Sequence, residues 1–305
     1  MRFMKGQAGK ATKLRDLHHG PEMLVLPNAW DCASARVFED AGFPAIATTS
    51  AGVAFSLGYA DGQHIRPEEM LIVVRRIAAC VDVPVTADLE AGYDDPAITT
   101  AAVIEAGVVG LNIEDVDGAS SGELIEVQTQ VRKIQTIRRV GDEMGVPLVI
   151  NARTDVYLAG IGEPAGRFNL AVERLRAYID AGADCLFVPG ISDESLIRDF
   201  VEALRFPLNI LIGPGMPPLR RLRELGVTRV STGSSVARAT IGLTRRIARE
   251  IKETGALDSL FEGAISYADA NALFQKYGAV FGRRMALKPA GPPTRARACL
   301  CAEGS

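Results

Sequence analysis

Asp88 and Glu90, Glu114, and the pair Arg153 and Asp155 stand at the ends of three short apolar runs, 83–90, 109–114 and 147–154. Side chains alternate along a strand, so Asp88 and Glu90 are expected on one side of theirs, with Glu114 on the neighbouring strand bringing a third carboxylate to the same point. Crowded carboxylates repel unless a cation neutralises them, and an all-oxygen cluster suits a hard ion such as Mg2+ or Mn2+. The alternative is that these acids pair with Arg153 or with helix ends. Arg153 offers a planar fork for two-point binding of a carboxylate or phosphonate, or else serves as the partner of Asp155 or Glu114. Ser50-Ala51-Gly52 can present backbone N–H groups and a hydroxyl to an anionic oxygen, or form an ordinary turn after a strand. The stretch 55–62 carries Tyr59 and Asp61 between Gly58 and Gly62, the composition of a lid; Asp61 is then an acid or base, or simply a solvated turn residue. Trp30 is expected to pack beneath this site. A single nearby histidine, His64, points to structure more than to chemistry. His18 and His19 lie at no strand end, so a Ser-His-Asp or Cys-His nucleophile is not expected.

Such groups must be held by a scaffold that gathers strand ends. Eight short β-branched or apolar runs occur at 24–27, 45–50, 83–90, 109–114, 147–154, 185–189, 208–212 and 229–232. Between them, segments such as 31–41, 67–80, 125–144, 169–181 and 194–204 repeat apolar residues every three or four positions, as helices do. Four of the intervening helices end in the same kind of phrase, at Gly42, Gly107, Gly182 and Gly226, where a left-handed cap is wanted. Near-continuous apolar strands alternating with amphipathic helices predict an α/β fold, a (β/α)8 TIM barrel, with an open doubly wound sheet as the alternative. The division expected is an N-terminal helical extension over 1–23, crossing the barrel bottom, the barrel over 24–254, a C-terminal helical extension over 255–287, and a Pro/Gly/Arg tail over 288–305 to which no structure is assigned.

Composition narrows the function classes. The 305 residues are 48% hydrophobic and 23% charged, with a formal net charge of −3 and no basic stripe, so no nucleic-acid partner is expected. No apolar run has the length of a membrane helix or a signal peptide, which predicts a soluble, cytoplasmic protein with no membrane partner. The five cysteines, Cys32, Cys80, Cys185, Cys299 and Cys301, are scattered and odd in number, which suits a reducing compartment.

The segments Pro27-Asn-Ala-Trp-Asp-Cys-Ala-Ser-Ala-Arg36, Thr49-Ser-Ala-Gly-Val53, Ala87-Asp-Leu-Glu-Ala-Gly-Tyr93, Asn112-Ile-Glu-Asp115 and Asn151-Ala-Arg-Thr-Asp155 together resemble the isocitrate lyase/phosphoenolpyruvate mutase superfamily, over about residues 15–275. The resemblance implies Mg2+ bound by Asp88, with Glu90 and Glu114 acting largely through water. It also implies a small 2-oxo acid held through its carboxylate and carbonyl oxygens, and a metal-stabilised enolate. By the same resemblance Arg153 and the turn Ser50, Ala51, Gly52 hold the anionic groups of the substrate, Asp61 matches a lid aspartate, and Asn209 matches a polar contact from strand seven. Members form dimers of dimers that exchange the eighth helix, a role open to 234–254, so a homotetramer is expected. Two departures mark the subgroup. The lyases carry a Lys-Lys/Arg-Cys-Gly-His loop where this chain has Val116-Asp-Gly-Ala-Ser-Ser-Gly-Glu123, and the phosphonopyruvate enzymes carry an Asp-Ser-Asn-Glu lid where it has Ala60-Asp-Gly-Gln63. The expectation is a Mg2+-dependent carbon–carbon lyase or decarboxylase acting on a small 2-oxo or 2-hydroxy dicarboxylate. Phosphonopyruvate-type mutase or hydrolase chemistry and a non-catalytic 2-oxo acid binding protein are the alternatives.

Overall fold

The structure, a computed structural model, describes residues 2–93, 95–116 and 123–284, with side chains over 6–93, 95–116 and 123–275. Helix α1 (Arg2–His19) is followed by the short strands β1 (Leu24–Leu26) and β2 (Asn28–Ala29). The chain continues through α2 (Cys32–Asp40), β3 (Ile46–Thr48), α3 (Ser50–Leu57), α4 (Pro67–Cys80), β4 (Val85–Asp88), α5 (Pro96–Glu105) and β5 (Gly110–Glu114). Then come α6 (Val127–Glu143), β6 (Val149–Arg153), α7 (Arg167–Asp180), β7 (Cys185–Phe187), α8 (Glu194–Leu204) and β8 (Leu208–Leu211). The remainder is α9 (Leu219–Glu224), β9 (Arg229–Ser231), α10 (Ser235–Thr254), α11 (Asp258–Phe261) and α12 (Tyr267–Arg284).

All strand pairs are parallel, in the order β1-β9-β8-β7-β6-β5-β4-β3-β2. Because β1 and β2 are consecutive in the chain, the sheet meets itself there and forms a TIM barrel, which excludes the open doubly wound alternative. The nine segments correspond to the eight strands expected, with the first split at Pro27. A proline has no N–H to give a ladder, and it marks the point where the strand changes neighbour. Thr232 donates to the carbonyl of Leu26 on one side and Ala47 to the carbonyl of Pro27 on the other, at 3.3 and 3.0 Å. The strands are buried on both faces, which is why they read as continuous apolar runs rather than alternating ones.

Helix α1 covers the N-terminal end of the strands. Ala11 and Leu14 are fully buried, and the Gln7 side-chain amide donates at 2.7 and 2.8 Å to the carbonyls of Ile104, in the last turn of α5, and Val108, just before β5. Gly110 leaves the room for this packing, since a Cβ there would stand 2.8 Å from Leu14 Cδ2. At the other end of the chain, α10 has Ala237 as its one buried residue, while Ile241, Leu243 and Ile251 are exposed.

Three expectations are corrected. Ser50-Ala51-Gly52 is neither a turn nor a loop but the first turn of α3, capped by Thr49, whose hydroxyl accepts from Gly52 N at 3.3 Å. Strand β4 stops at Asp88, so Glu90 is not two residues further along the same strand. The helical stretch after α10 is broken into α11 and α12. Residues 117–122, within the stretch Val116–Glu123 that marks the subgroup, and 285–305 with Cys299 and Cys301, lie outside the described residues.

Candidate active site at the strand C-termini

Asp88 is the last residue of β4 and 9% exposed. Its backbone N–H donates to Thr48 Oγ1 at 2.9 Å, which joins it to the end of β3. Ser50, first in α3, donates to Asp88 Oδ2 twice, from its backbone N–H at 3.0 Å and its hydroxyl at 2.7 Å. A helix N-terminus carries unpaired N–H groups and partial positive charge, so α3 holds this carboxylate in one orientation. Asp88 Oδ1, also buried, has no hydrogen-bond partner among the described residues.

The chain then makes a tight turn instead of continuing as strand. Glu90 and Tyr93 adopt left-handed φ values of 52° and 60°, and Gly92 a φ of 91°. Non-glycine residues in that region are strained and are retained where their surroundings fix them. The turn keeps Glu90 beside β5, because Glu114 N still donates to the Glu90 carbonyl at 3.0 Å. Glu90 therefore reaches the neighbourhood that the alternation argument gave it, by a different route. Burial pushes its carboxyl up to about 8, with Asp88 and then Asp61 adding repulsion. Its Oε2 lacks a partner among the described residues, as does the buried hydroxyl of Tyr93.

Glu114 and Arg153 sit opposite each other in the β5–β6 register. Arg153 donates to Glu114 Oε2 at 2.7 Å and, through Nε and Nη2, to Asp155 Oδ1 at 2.9 and 2.7 Å, with its guanidinium carbon 5.7 Å from the centre of the Phe187 ring. The ion-pair reading of Arg153 is the one the structure shows: its fork is held by two acids while the side chain stays 17% exposed. Asp155 is held in turn, its N–H donating to Asp115 Oδ1 at 2.9 Å, and Asp115 accepts from Arg174 and from the Tyr178 hydroxyl, both at 2.7 Å. Burial raises Glu114 against the pull of Arg153.

The remaining expected residues divide. Asp61 is exposed, and its carboxyl is raised by desolvation and by the charge of Asp88, so it lies within electrostatic reach of the acidic cluster. Gln63, two residues on, donates its backbone N–H to Glu90. Trp30 packs beneath α3: a Cβ on Gly52 would meet Trp30 Cβ at 3.0 Å and Thr49 Cγ2 at 2.6 Å, so Gly52 is needed for close packing. Ala51 is buried beside it. Asn209 is fully buried, its amide donating to Ser231 Oγ at 3.2 Å. Tyr59 does not join the cluster; it is 38% exposed and its hydroxyl donates to Glu69 of α4 at 3.0 Å. His64 is exposed. Tyr93 is the residue that sequence reasoning passed over, although it closes the motif that begins at Ala87. Thr48 carried no signal at all, since a strand threonine is ordinary.

These residues fit a hard cation. Buried carboxylate oxygens without partners, on Asp88, Glu90 and Asp155, are costly unless a positive charge reaches them. Among the described residues no three acidic, thiol or imidazole groups are gathered closely enough to hold an ion unaided. The free oxygens are all carboxylate oxygens, the kind of donor an oxygen-preferring cation takes.

The family profile described as phosphoenolpyruvate phosphomutase matches residues 14–252. An uncharacterised Mycobacterium tuberculosis protein is 34% identical, over 86% of this chain and 96% of its own. The 2-methylisocitrate lyase of Escherichia coli is 31% identical over 68% of each chain. The crystal structure of 2,3-dimethylmalate lyase, a PEP mutase/isocitrate lyase superfamily member, superposes with a TM-score of 0.76 at 28% identity, covering 90% of this chain and 97% of that one.

Proposed function

Because this chain belongs to the phosphoenolpyruvate phosphomutase family, within the isocitrate lyase/phosphoenolpyruvate mutase superfamily of lyases and mutases, we propose that it is a Mg2+-dependent carbon–carbon lyase for a small 2-oxo or 2-hydroxy dicarboxylate. The observation that carries the reading is the state of Asp88. One oxygen is fixed twice by Ser50, and the other is buried without a partner among the described residues, within an acidic cluster that Arg153 borders.

Asp88 would hold the ion directly, with Glu90 and Glu114 reached through its waters; Mn2+ has the same preference for oxygen. When bound, the cation supplies positive charge where negative charge gathers on the substrate's oxygens as the carbon–carbon bond breaks. Arg153, already oriented by Asp155, receives a substrate carboxylate by exchanging it for Glu114. The N–H of Ala51 completes the anion contacts, and Asn209, fully buried and bonded to Ser231, would reach a substrate oxygen only by giving up that bond. Asp61, whose carboxyl is raised by desolvation and by the charge of Asp88, serves as acid or base at the cluster. Tyr93 turns its hydroxyl to a substrate oxygen, and Tyr59, turned out to Glu69, has no part in the chemistry as the loop now stands.

Proton NMR of the enzyme with Mg2+ and a panel of oxaloacetate, isocitrate, 2-methylisocitrate and 2,3-dimethylmalate tests the reading. Appearance of a 2-oxo acid product, abolished by EDTA, is expected. Ligand-dependent thermal stabilisation with no product from any of the four would reduce the protein to a binding role. The exposed apolar residues of α10 support a second part of the proposal, that this helix docks on another copy in a dimer of dimers. A monomer by light scattering at micromolar concentration would contradict it.

A further inference from the structure

Two cysteines away from the acidic cluster meet where α2 packs on α4. Cys32 is the first residue of α2, just after its cap Asp31, and Cys80 is the last of α4. Cys80 Sγ lies 3.8 Å from the carbonyl oxygen of Cys32 and 3.2 Å from that of Ile77, and the two thiols are near enough for each to shift the acidity of the other. The two differ in access, because Cys32 is partly exposed while Cys80 is 1% exposed. They differ in acidity as well. Cys32 is held below the usual thiol range, chiefly because Cys80 donates to it, with Arg76 assisting and burial and Asp31 opposing. Cys80 is pushed far up by the same bond and by burial, Arg36 and Glu39 facing it with opposed effects. The N-terminus of α2 further favours a thiolate at Cys32.

We propose that Cys32 and Cys80 are a redox pair that closes reversibly into an intramolecular disulfide by exchange with a low-molecular-weight disulfide. The Cys32 thiolate attacks one sulfur of the small disulfide, whose S–S bond breaks and releases one thiolate, leaving a mixed disulfide on Cys32. Cys80 then gives up its proton and attacks the Cys32 sulfur, displacing the second small thiol. The protein dithiol is oxidised by two electrons and the small disulfide is reduced to two thiols. Cys32 is suited to the first step by access and acidity, and Cys80, hidden until Cys32 is modified, to the second. Cys185 is fully buried and burial pushes its thiol up to about 12, so it serves neither step. The cross-link closes a loop over residues 32–80, which contains Thr48, Ser50 and Asp61. Oxidation therefore restrains the stretch of chain that supports the cluster and carries its lid.

The test is incubation of the full-length protein with oxidised glutathione, alkylation of the remaining thiols and peptide mapping. The expected result is a Cys32–Cys80 cross-linked peptide, with Cys185 alkylated as free thiol, lost on treatment with dithiothreitol. The melting temperature should rise by roughly 5 °C on oxidation and return on reduction. In Cys80→Ser, glutathione should remain attached at Cys32; in Cys32→Ser no adduct should form at Cys80. If Cys80→Ser does not fold, the map of the wild-type chain decides alone. A map in which Cys32 and Cys80 stay alkylated, or in which the only disulfide joins Cys299 and Cys301, overturns the proposal.

Discussion

Ser50 donates both its backbone N–H and its hydroxyl to the same oxygen of Asp88, at 3.0 and 2.7 Å, while the other oxygen of that carboxylate is buried with no hydrogen-bond partner among the described residues. If that free oxygen is the metal ligand, Ser50 is what aims it. Ser50→Ala keeps the N–H bond and removes the hydroxyl bond. The Mg2+ concentration for half-maximal turnover should then rise by about tenfold, the usual cost of losing a group that orients a ligand. An unchanged Mg2+ dependence would mean that Asp88 is not the ligand.

Arg153 is preset by Asp155 and Glu114, and only a planar fork satisfies both. Arg153→Lys keeps the charge but loses the two-point geometry, and kcat/KM should fall by roughly a hundredfold with a raised KM. Arg153→Ala should be the more damaging to the fold, since it leaves two buried acids without their cation, at about 3–5 kcal/mol. Chemical denaturation distinguishes the two variants.

Tyr93 buries a hydroxyl that has no partner among the described residues. Tyr93→Phe should leave the melting temperature unchanged or raise it slightly, because an unsatisfied polar group is removed. KM should rise by about tenfold if that hydroxyl meets the substrate. A loss of stability would show that the hydroxyl has a structural partner instead.

His18 lies at the opposite end of the barrel. Its Nδ1 donates to the Leu14 carbonyl at 2.7 Å, which leaves Nε2 to accept from Arg229 Nη1 at 3.4 Å. Burial and then the charge of Arg229 depress its pKa from 6.5 to about 3. Between those values the unfolded chain binds a proton that the fold refuses, so stability falls as the pH drops through 6.5 and continues to fall towards 3. Above 6.5 this contribution to the pH dependence disappears. His18→Gln should flatten the acid limb of the stability curve, measured by urea denaturation between about pH 4 and pH 7, with a loss of up to a few kcal/mol in the wild type over that range. An equal slope in the variant would assign the acid sensitivity to other groups.

The glycine in the strained turn can be tested separately. Gly92 has a φ of 91° and a Cβ there would stand 2.7 Å from Ile113 Cδ1, so Gly92→Ala should cost about 2–3 kcal/mol and displace Glu90.

Much of this architecture is legible in the sequence, for identifiable reasons. Buried parallel strands read as apolar runs, helix ends are marked by phrases such as Glu105-Ala-Gly107, and strand ends in a barrel converge, so Asp88, Glu114 and Arg153 could be brought together from their positions alone. What failed was local. The first turn of α3 is built of Ser50, Ala51 and Gly52, which have no helical periodicity over so short a span, and the role of Ser50 depends on a carboxylate 38 residues away. The period of two was carried past Asp88 into a turn that begins where the strand ends, and the left-handed φ of Glu90 has no signal in its residue type. Tyr59 and Asp61 share one loop, but only packing decides that the first bonds Glu69 while the second comes under the charge of Asp88.

The most direct test of the central claim is a Mg2+ titration of carbon–carbon cleavage by wild-type protein and by Asp88→Asn, with whichever dicarboxylate of the panel is turned over. The account predicts a saturable Mg2+ requirement in the wild type and a loss of at least a hundredfold in the variant, with the fold retained. Cleavage by Asp88→Asn at the wild-type rate, with the same Mg2+ dependence, would contradict it.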